Sequence, residues 1–310
     1  MTSKFTTLLI SFGMLLTLAA AVSADPSRIV ADGATLQQAA TGFAFTEGPA
    51  ADKDGNIYFT DQPNDRIMKW TVDGKITTFL SPCGRSNGLC VDRRGNILAC
   101  ADEHNQFWRI DTNGKSTVLI QSFDGNLLDG PNDVWERPEG GIYITDPMYW
   151  RSYWHRGPAE QTTEGVYYLD ESAPPTPDAP GGKLTRVVDD MNKPNGIIGT
   201  PDGKTLYVSD IGAGQTFAYD IEKDGSLTHK RLFCSMGSDG MTIDSAGDIY
   251  LTGHGVTIFD SKGNQIDHID INEGWTGNIC FGGKDRKTLF ITASHSVYTL
   301  QMKVHGVGSQ

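Results

Sequence analysis

A turn that recurs six times constrains this chain more than any other feature. Each copy carries Asn, Asp or Glu just ahead of a hydrophobic strand. The copies are Glu47-Gly48-Pro49, Asn87-Gly88, Asn132-Asp133, Asn195-Gly196, Asp239-Gly240 and Gly277-Asn278. After each comes a strand, a Gly-containing turn, and a second strand centred on a large apolar residue: Tyr58, Leu98, Tyr143, Tyr207, Tyr250 and Phe290. The polar residue precedes that apolar residue by eleven positions in four copies and by twelve in the fourth and sixth, whose turns at 201–205 and 283–288 are longer. Such self-similarity marks a repeat architecture, in which each unit buries its apolar face against its neighbours.

Short runs rich in Val, Ile, Tyr, Phe and Thr fill the intervals, and helix signals are nearly absent after Ala24. This is an all-β pattern. The second copy reads as four strands at 88–92, 97–101, 107–111 and 116–120. A unit of about 40 to 45 residues with four strands is the size of one propeller blade. The repeat therefore predicts a six-bladed β-propeller, with residues 25–310 as one domain. The sixth copy ends after its third strand at 296–302, so residues 28–38 are expected to supply the fourth and close the ring. The Pro-rich stretch 174–182 reads as an insertion in the third copy.

The first 24 residues read differently. Lys4, an apolar run over 8–22 and the small residues Val22-Ser23-Ala24 have the layout of a secretory signal peptide. The apolar run is shorter than a bilayer span and no later one is long enough, so the mature chain is expected to be exported, periplasmic or extracellular, without a membrane span. Asp plus Glu outnumber Lys plus Arg by 38 to 26, with no basic run. That argues against nucleic acid or an anionic membrane surface as partner, because phosphate binding depends on clustered Lys and Arg. Five cysteines form no zinc spacing, and three of them (Cys90, Cys100, Cys280) sit in apolar strand patterns where a thiol acts as a small hydrophobe.

In a propeller blade the innermost strand lines the central channel, and the turn entering it shares a face with the loop between the second and third strands. The six polar residues are thus expected to ring the channel mouth, surrounded by loops at 62–66, 103–106, 147–164, 211–215, 253–255 and 294–295. A ring of Glu, Asp and Asn offers hard oxygen donors suited to Ca²⁺ or a similar divalent ion. Asn and Asp before Gly are also ordinary turn formers, but Glu47 is not a preferred turn residue. His104, His254 and His295 fall on the same face; no pair has zincin spacing, and no Gly-x-Ser-x-Gly elbow marks a serine nucleophile. The third loop contains Met148-Tyr149-Trp150-Arg151-Ser152-Tyr153-Trp154-His155-Arg156. It reads either as a lid that stacks on a sugar-like ring and orients it through Arg151 or Arg156, or as a plug packing its own aromatics. His104, Trp150 and Arg156 are candidate substrate contacts on this reading.

Over essentially the whole mature region the chain resembles the SMP-30/gluconolactonase family of six-bladed propellers. The residues that carry the resemblance are Glu47-Gly48-Pro49, Pro131-Asn132-Asp133-Val134, Pro194-Asn195-Gly196-Ile197, Asp239-Gly240-Met241 and Cys280-Phe281-Gly282-Gly283. Glu103-His104-Asn105 is similar to the bacterial gluconolactonase branch. The resemblance implies a divalent metal held by Glu47, Asn195 and Asp239, with Ca²⁺ first and Zn²⁺, Mn²⁺ or Mg²⁺ as alternatives. It places Asn132 beside the metal, in contact with metal or substrate. It also implies hydrolysis of a small-molecule sugar lactone, with Asp239 as proton acceptor and donor. Some relatives hold substrate with an Arg two residues before the Asn132 position. Here that residue is Gly130, which leaves the particular lactone open. The rival reading is a non-catalytic, ligand-binding propeller with a structural metal.

Overall fold

A computed structural model describes residues 28–307. Among them the chain forms six four-stranded sheets, each antiparallel and in sequence order apart from the last. The fold is a six-bladed β-propeller. The first blade is Thr46–Ala51, Ile57–Asp61, Arg66–Trp70 and Ile76–Leu80. The innermost strands of the next five are Leu89–Val91, Val134–Glu136, Pro194–Gly199, Met241–Ile243 and Thr276–Gly282.

Local chemistry explains the first hairpin of the first two blades. Asp52 Oδ1 accepts hydrogen bonds from the N–H groups of Asp54 (3.0 Å) and Asn56 (2.9 Å). Asp92 does the same for Arg94 (2.9 Å) and Asn96 (2.8 Å). A side-chain carboxylate that caps its own turn makes reversal at that point cheap. Apolar side chains on alternate positions then pack blade against blade.

Ring closure departs from the sequence expectation. The outer strand of the sixth blade is Gln37–Thr41, paired with Ser296–Gln301 in the register Gln37↔Thr299 to Thr41↔Ser296. Only Gln37 and Gln38 of the expected segment 28–38 belong to it. The residues before them do another job: Ile29 is buried in the core of the last two blades, and Val30 makes an isolated bridge to Met302. The N–H of Ala34 then bonds Ala31 O (3.0 Å), a turn that delays the strand.

The seam between the last and first blades is aromatic. Phe290 is fully buried, its ring centroid 5.5 Å from Phe59 and 5.7 Å from Trp70. Phe290→Ala is expected to cost about 3–5 kcal/mol through lost burial and the cavity left behind. The loss would appear as a lower urea midpoint; a midpoint equal to wild type would show that the seam contributes nothing to ring closure.

Register also corrects the count of six equivalent turns. In five blades the polar residue stands three positions before the inner-strand residue that faces the apolar centre: Ala50↔Tyr58, Cys90↔Leu98, Trp135↔Tyr143, Ile198↔Tyr207 and Thr242↔Tyr250. In the sixth the pair is Cys280↔Phe290, so the equivalent position is Gly277, and Asn278 lies one residue further in. The longer hairpin closed by Gly282↔Thr288 hides that slip from a count along the chain.

All five cysteines are free. Among the described residues no helix is long and apolar enough to cross a membrane. Residues 1–24, read above as a signal peptide, lie outside the described residues.

Candidate active site

One cavity at the channel mouth is lined by Glu47, Asn87, Asn132 and Asp239 from the recurring turns, with Phe45, Gln62, Tyr149, Arg151, Ile211 and Trp275 around them. Asp239 is held by two donors. Trp275 Nε1 donates to its Oδ2 at 2.6 Å, and Asn195 Nδ2 donates to its Oδ1 at 2.9 Å. The same Asn195 nitrogen donates to the Tyr149 hydroxyl at 3.1 Å. Asn195 is therefore in contact with the site through Asp239 and Tyr149, although it does not line the cavity wall itself.

Glu47 is buried, and its carboxylate accepts the N–H of its neighbour Gly48. A side chain on Gly277 would press its Cβ to 2.8 Å from Glu47 Oε1. The glycine at the sixth position thus makes room for the carboxylate of the first. Deeper in the channel, Asn278 and Asp133 form a second layer. Each side-chain oxygen accepts the next residue's N–H, from Ile279 at 2.8 Å and Val134 at 3.0 Å, and Asn278 Nδ2 donates to Asp133 Oδ2 at 3.4 Å.

Three carboxyls share this interior, and none makes a salt bridge among the described residues. Burial pushes the Glu47 carboxyl well above the usual range, with the charges of Asp239 and Asp133 adding to the effect. Burial pushes Asp133 up to about 8. Asp239 is pushed up to about 6, again by burial, and the Trp275 and Asn195 hydrogen bonds oppose the rise. Carboxylates enclosed without a cation are costly unless something positive joins them.

Two further observations bear on a cation. The side-chain oxygens of Asn195 and Asn87 are buried and have no hydrogen-bond partner. Buried polar atoms normally find one. Two carboxylates with orphaned amide oxygens are an all-oxygen donor set of the kind Ca²⁺ takes. The residues present fit a hard divalent ion.

The remaining candidates lie elsewhere. His104 is exposed and stacks on Trp108 at 5.4 Å. His254 packs edge-on against Trp275 with ring centroids 5.3 Å apart, and His295 Nδ1 bonds Phe43 O at 3.1 Å. Trp150 is 61% exposed and packs on Trp154, with ring centroids 5.9 Å apart. Arg156 Nη1 donates to Leu128 O at 2.5 Å, and its guanidinium lies 5.6 Å from the Trp154 ring. None of these lines the cavity, because the outer half of the aromatic loop packs on itself. Its inner half, Tyr149 and Arg151, faces the site. One half of the loop packs as a plug and the other lines the cavity.

Gly130 is explained by that loop. A side chain there would meet Asp102 Oδ1 at 2.9 Å and the Trp154 ring at 3.0 Å. The space beside Asn132 is already filled by the insertion. Trp275 was missed by sequence reasoning, although it immediately precedes the sixth inner strand; Gln62 lies in the loop 62–66 expected at the mouth, and Phe45 carried no signal.

The SMP-30/gluconolactonase/LRE-like region matches residues 45–295, which spans all six blades. The chain belongs to this family. The gluconolactonase of Zymomonas mobilis is 28% identical over 302 residues, covering 87% of this chain and 82% of that protein. The pentonolactonase XacC of Haloferax volcanii is 24% identical over 261 residues, covering 80% of this chain and 81% of its own. A gluconolactonase of solved structure from Xanthomonas campestris superposes with a TM-score of 0.78 at 27% identity, covering 89% of this chain and 96% of that one. All three matches cover four fifths or more of this chain rather than one motif.

Proposed function

We propose that this propeller hydrolyses the lactone of a sugar or related polyhydroxy acid in the Glu47–Asp239 cavity, with a hard divalent ion, Ca²⁺ first, held by Glu47, Asn195 and Asp239. The observation that carries the reading is the set of buried carboxylates facing one small cavity beside orphaned amide oxygens. The gluconolactonase and pentonolactonase relatives supply the substrate class. The apolar segment before Asp25 supports action outside the cytoplasm.

When bound, the cation would polarise the lactone carbonyl and stabilise the charge that develops on its oxygen. The protein's own part is proton transfer and orientation. As water adds to the carbonyl carbon, Asp239 takes the water proton. As the bond from that carbon to the ring oxygen breaks, Asp239 returns the proton to the ring oxygen, giving the open hydroxy acid. Trp275 and Asn195 fix both oxygens of Asp239, so the base does not have to find its orientation in each turnover. Asn132, on the cavity wall, is placed to contact metal or substrate.

The test is acid release from glucono-δ-lactone and other lactones by the mature chain, in the presence of Ca²⁺, Zn²⁺, Mn²⁺, Mg²⁺ or chelator. Turnover that a chelator abolishes and one of these ions restores supports the reading. Rates equal to buffer under every condition overturn it. Thermal stabilisation by the ion with no turnover of any lactone would instead favour a ligand-binding propeller with a structural metal.

A further inference from the structure

The aromatic loop is tied across the cavity at two sides. On one side Lys193 Nζ donates to Met148 O at 2.9 Å and lies 4.6 Å from the Tyr149 ring centroid, while Asn195 bonds the Tyr149 hydroxyl. On the other side the anchor is Asp102, in the short turn Asp102–His104 of the second blade. Asp102 is buried, and its Oδ2 collects three donors: Arg151 Nε at 2.9 Å, Gln62 Nε2 at 3.1 Å, and the Tyr153 hydroxyl. Its backbone oxygen takes Trp154 Nε1 at 2.8 Å. A buried carboxylate with that many partners is a rigid post rather than a surface charge.

The post determines what Arg151 can do. Only Nε of the guanidinium is used on Asp102; its two terminal nitrogens have no hydrogen-bond partner among the described residues, and the side chain lines the cavity. The planar fork is further steadied by the Tyr149 ring, 5.6 Å from the guanidinium carbon. Four N–H groups on those nitrogens are therefore left for a ligand, on a held side chain that lines the cavity together with Asp239 and Glu47. Because Asp102 balances the charge of Arg151, the fork is suited to neutral oxygen acceptors as well as to a carboxylate.

We infer that Arg151, held by Asp102, is the residue by which this site selects polyhydroxylated lactones over unsubstituted ones, by donating hydrogen bonds to ring hydroxyls remote from the carbonyl. Asp102 touches no substrate; it is a positioning residue. A rigid donor pair favours the substrate that satisfies it and leaves buried donors unpaired with the substrate that does not, which is where discrimination of this kind comes from. The inference rests on the hydrolytic reading above and adds the determinant of substrate class.

The experiment compares glucono-δ-lactone with δ-valerolactone, which has the same ring and no hydroxyls. For each, kcat and KM are measured with wild type, Arg151→Ala, Arg151→Lys and Asp102→Asn. In Arg151→Ala the ratio of kcat/KM for the two lactones is expected to fall about 10- to 100-fold, the worth of a hydrogen bond to a charged donor. The loss should appear mainly in KM for the hydroxylated lactone. Lys at 151 should not restore the ratio, since one ammonium cannot hold Asp102 and offer a fork. Asp102→Asn should shift the ratio in the same direction by less. Equal losses on both lactones, or an unchanged ratio, would overturn the inference, because a purely structural role would not distinguish the substrates. If wild type opens neither lactone, the hydrolytic reading fails on its own, and gluconate binding by calorimetry decides the role of Arg151. Binding weakened by a similar factor in Arg151→Ala sustains the donor fork; no wild-type binding, or equal affinities, overturns it.

Discussion

Asp239→Asn is expected to lower kcat for lactone opening by roughly 10²- to 10⁴-fold, the usual contribution of a positioned general base. The substitution keeps the size of the side chain and its place between Trp275 and Asn195. What it removes is a proton acceptor and one negative charge; the new amide N–H meets Asn195, whose side chain can turn its unpartnered Oδ1 toward it. Stability should move the other way. In the absence of metal the wild-type carboxyl is buried without a salt bridge, and its burial outweighs the charge of Arg151, so a neutral amide in its place should melt at a higher temperature than wild type. Activity and stability therefore change in opposite directions, which separates this variant from one that merely unfolds. Wild-type turnover in Asp239→Asn would remove Asp239 from the reaction. A lowered melting temperature together with lost activity would mean that the carboxylate is needed for folding instead.

Thermal stability without metal is expected to fall as pH rises from about 4 towards 8. The sign follows from the carboxyls at the channel mouth. In the unfolded chain they lose their protons near their ordinary values of about 4. In the folded protein burial holds the proton on Asp239 up to about 6 and on Asp133 up to about 8, and keeps Glu47 protonated well past its usual range. Across that window the folded state binds more protons, so its advantage is complete below the lower values and is lost as pH passes the upper ones. A divalent ion should reverse the trend, because it binds the deprotonated groups and competes with their protons. At a hundredfold excess over its dissociation constant an ion contributes about 2.7 kcal/mol to stability. The shift in melting temperature on adding Ca²⁺ should therefore be large at pH 8 and small at pH 5, with chelator as the reference. A shift of the same size at both values would mean that the ion binds groups that do not titrate there, away from this cavity. No shift at either pH would remove the metal from the proposal.

How much of this was legible in the sequence depends on the range of the contacts involved. The repeat brought all six polar turns to one mouth, because a closed ring gathers equal steps of a repeated unit; what singled out Glu47, Asn132, Asn195 and Asp239 among them was the family resemblance. Asn278 shows the limit of that logic. It matched by distance to Phe290, yet strand pairing moved it one residue inward, because the sixth hairpin is longer than its counterparts. Segment 28–38 shows the same limit at the closure, where burial of Ile29 and the turn at Ala34 displaced the strand to Gln37–Thr41.

The third-blade loop belongs to the other category. Its aromatics and arginines were visible as a cluster, but the sequence could not distinguish Arg151 from Arg156 or Tyr149 from Trp150. Arg151 meets Asp102 across 49 positions and Arg156 instead turns back to Leu128, so their roles follow from where the loop folds. By itself the sequence determined the six blades and the face on which the polar turns gather. Those depend on a period, and a period is written locally, repeat after repeat. Only the tertiary structure decided which groups complete the cavity: Trp275 on Asp239, Arg151 on Asp102, and the bare Gly277 beside Glu47. These join residues far apart in the chain, and no local pattern encodes a contact that exists only once the ring has closed.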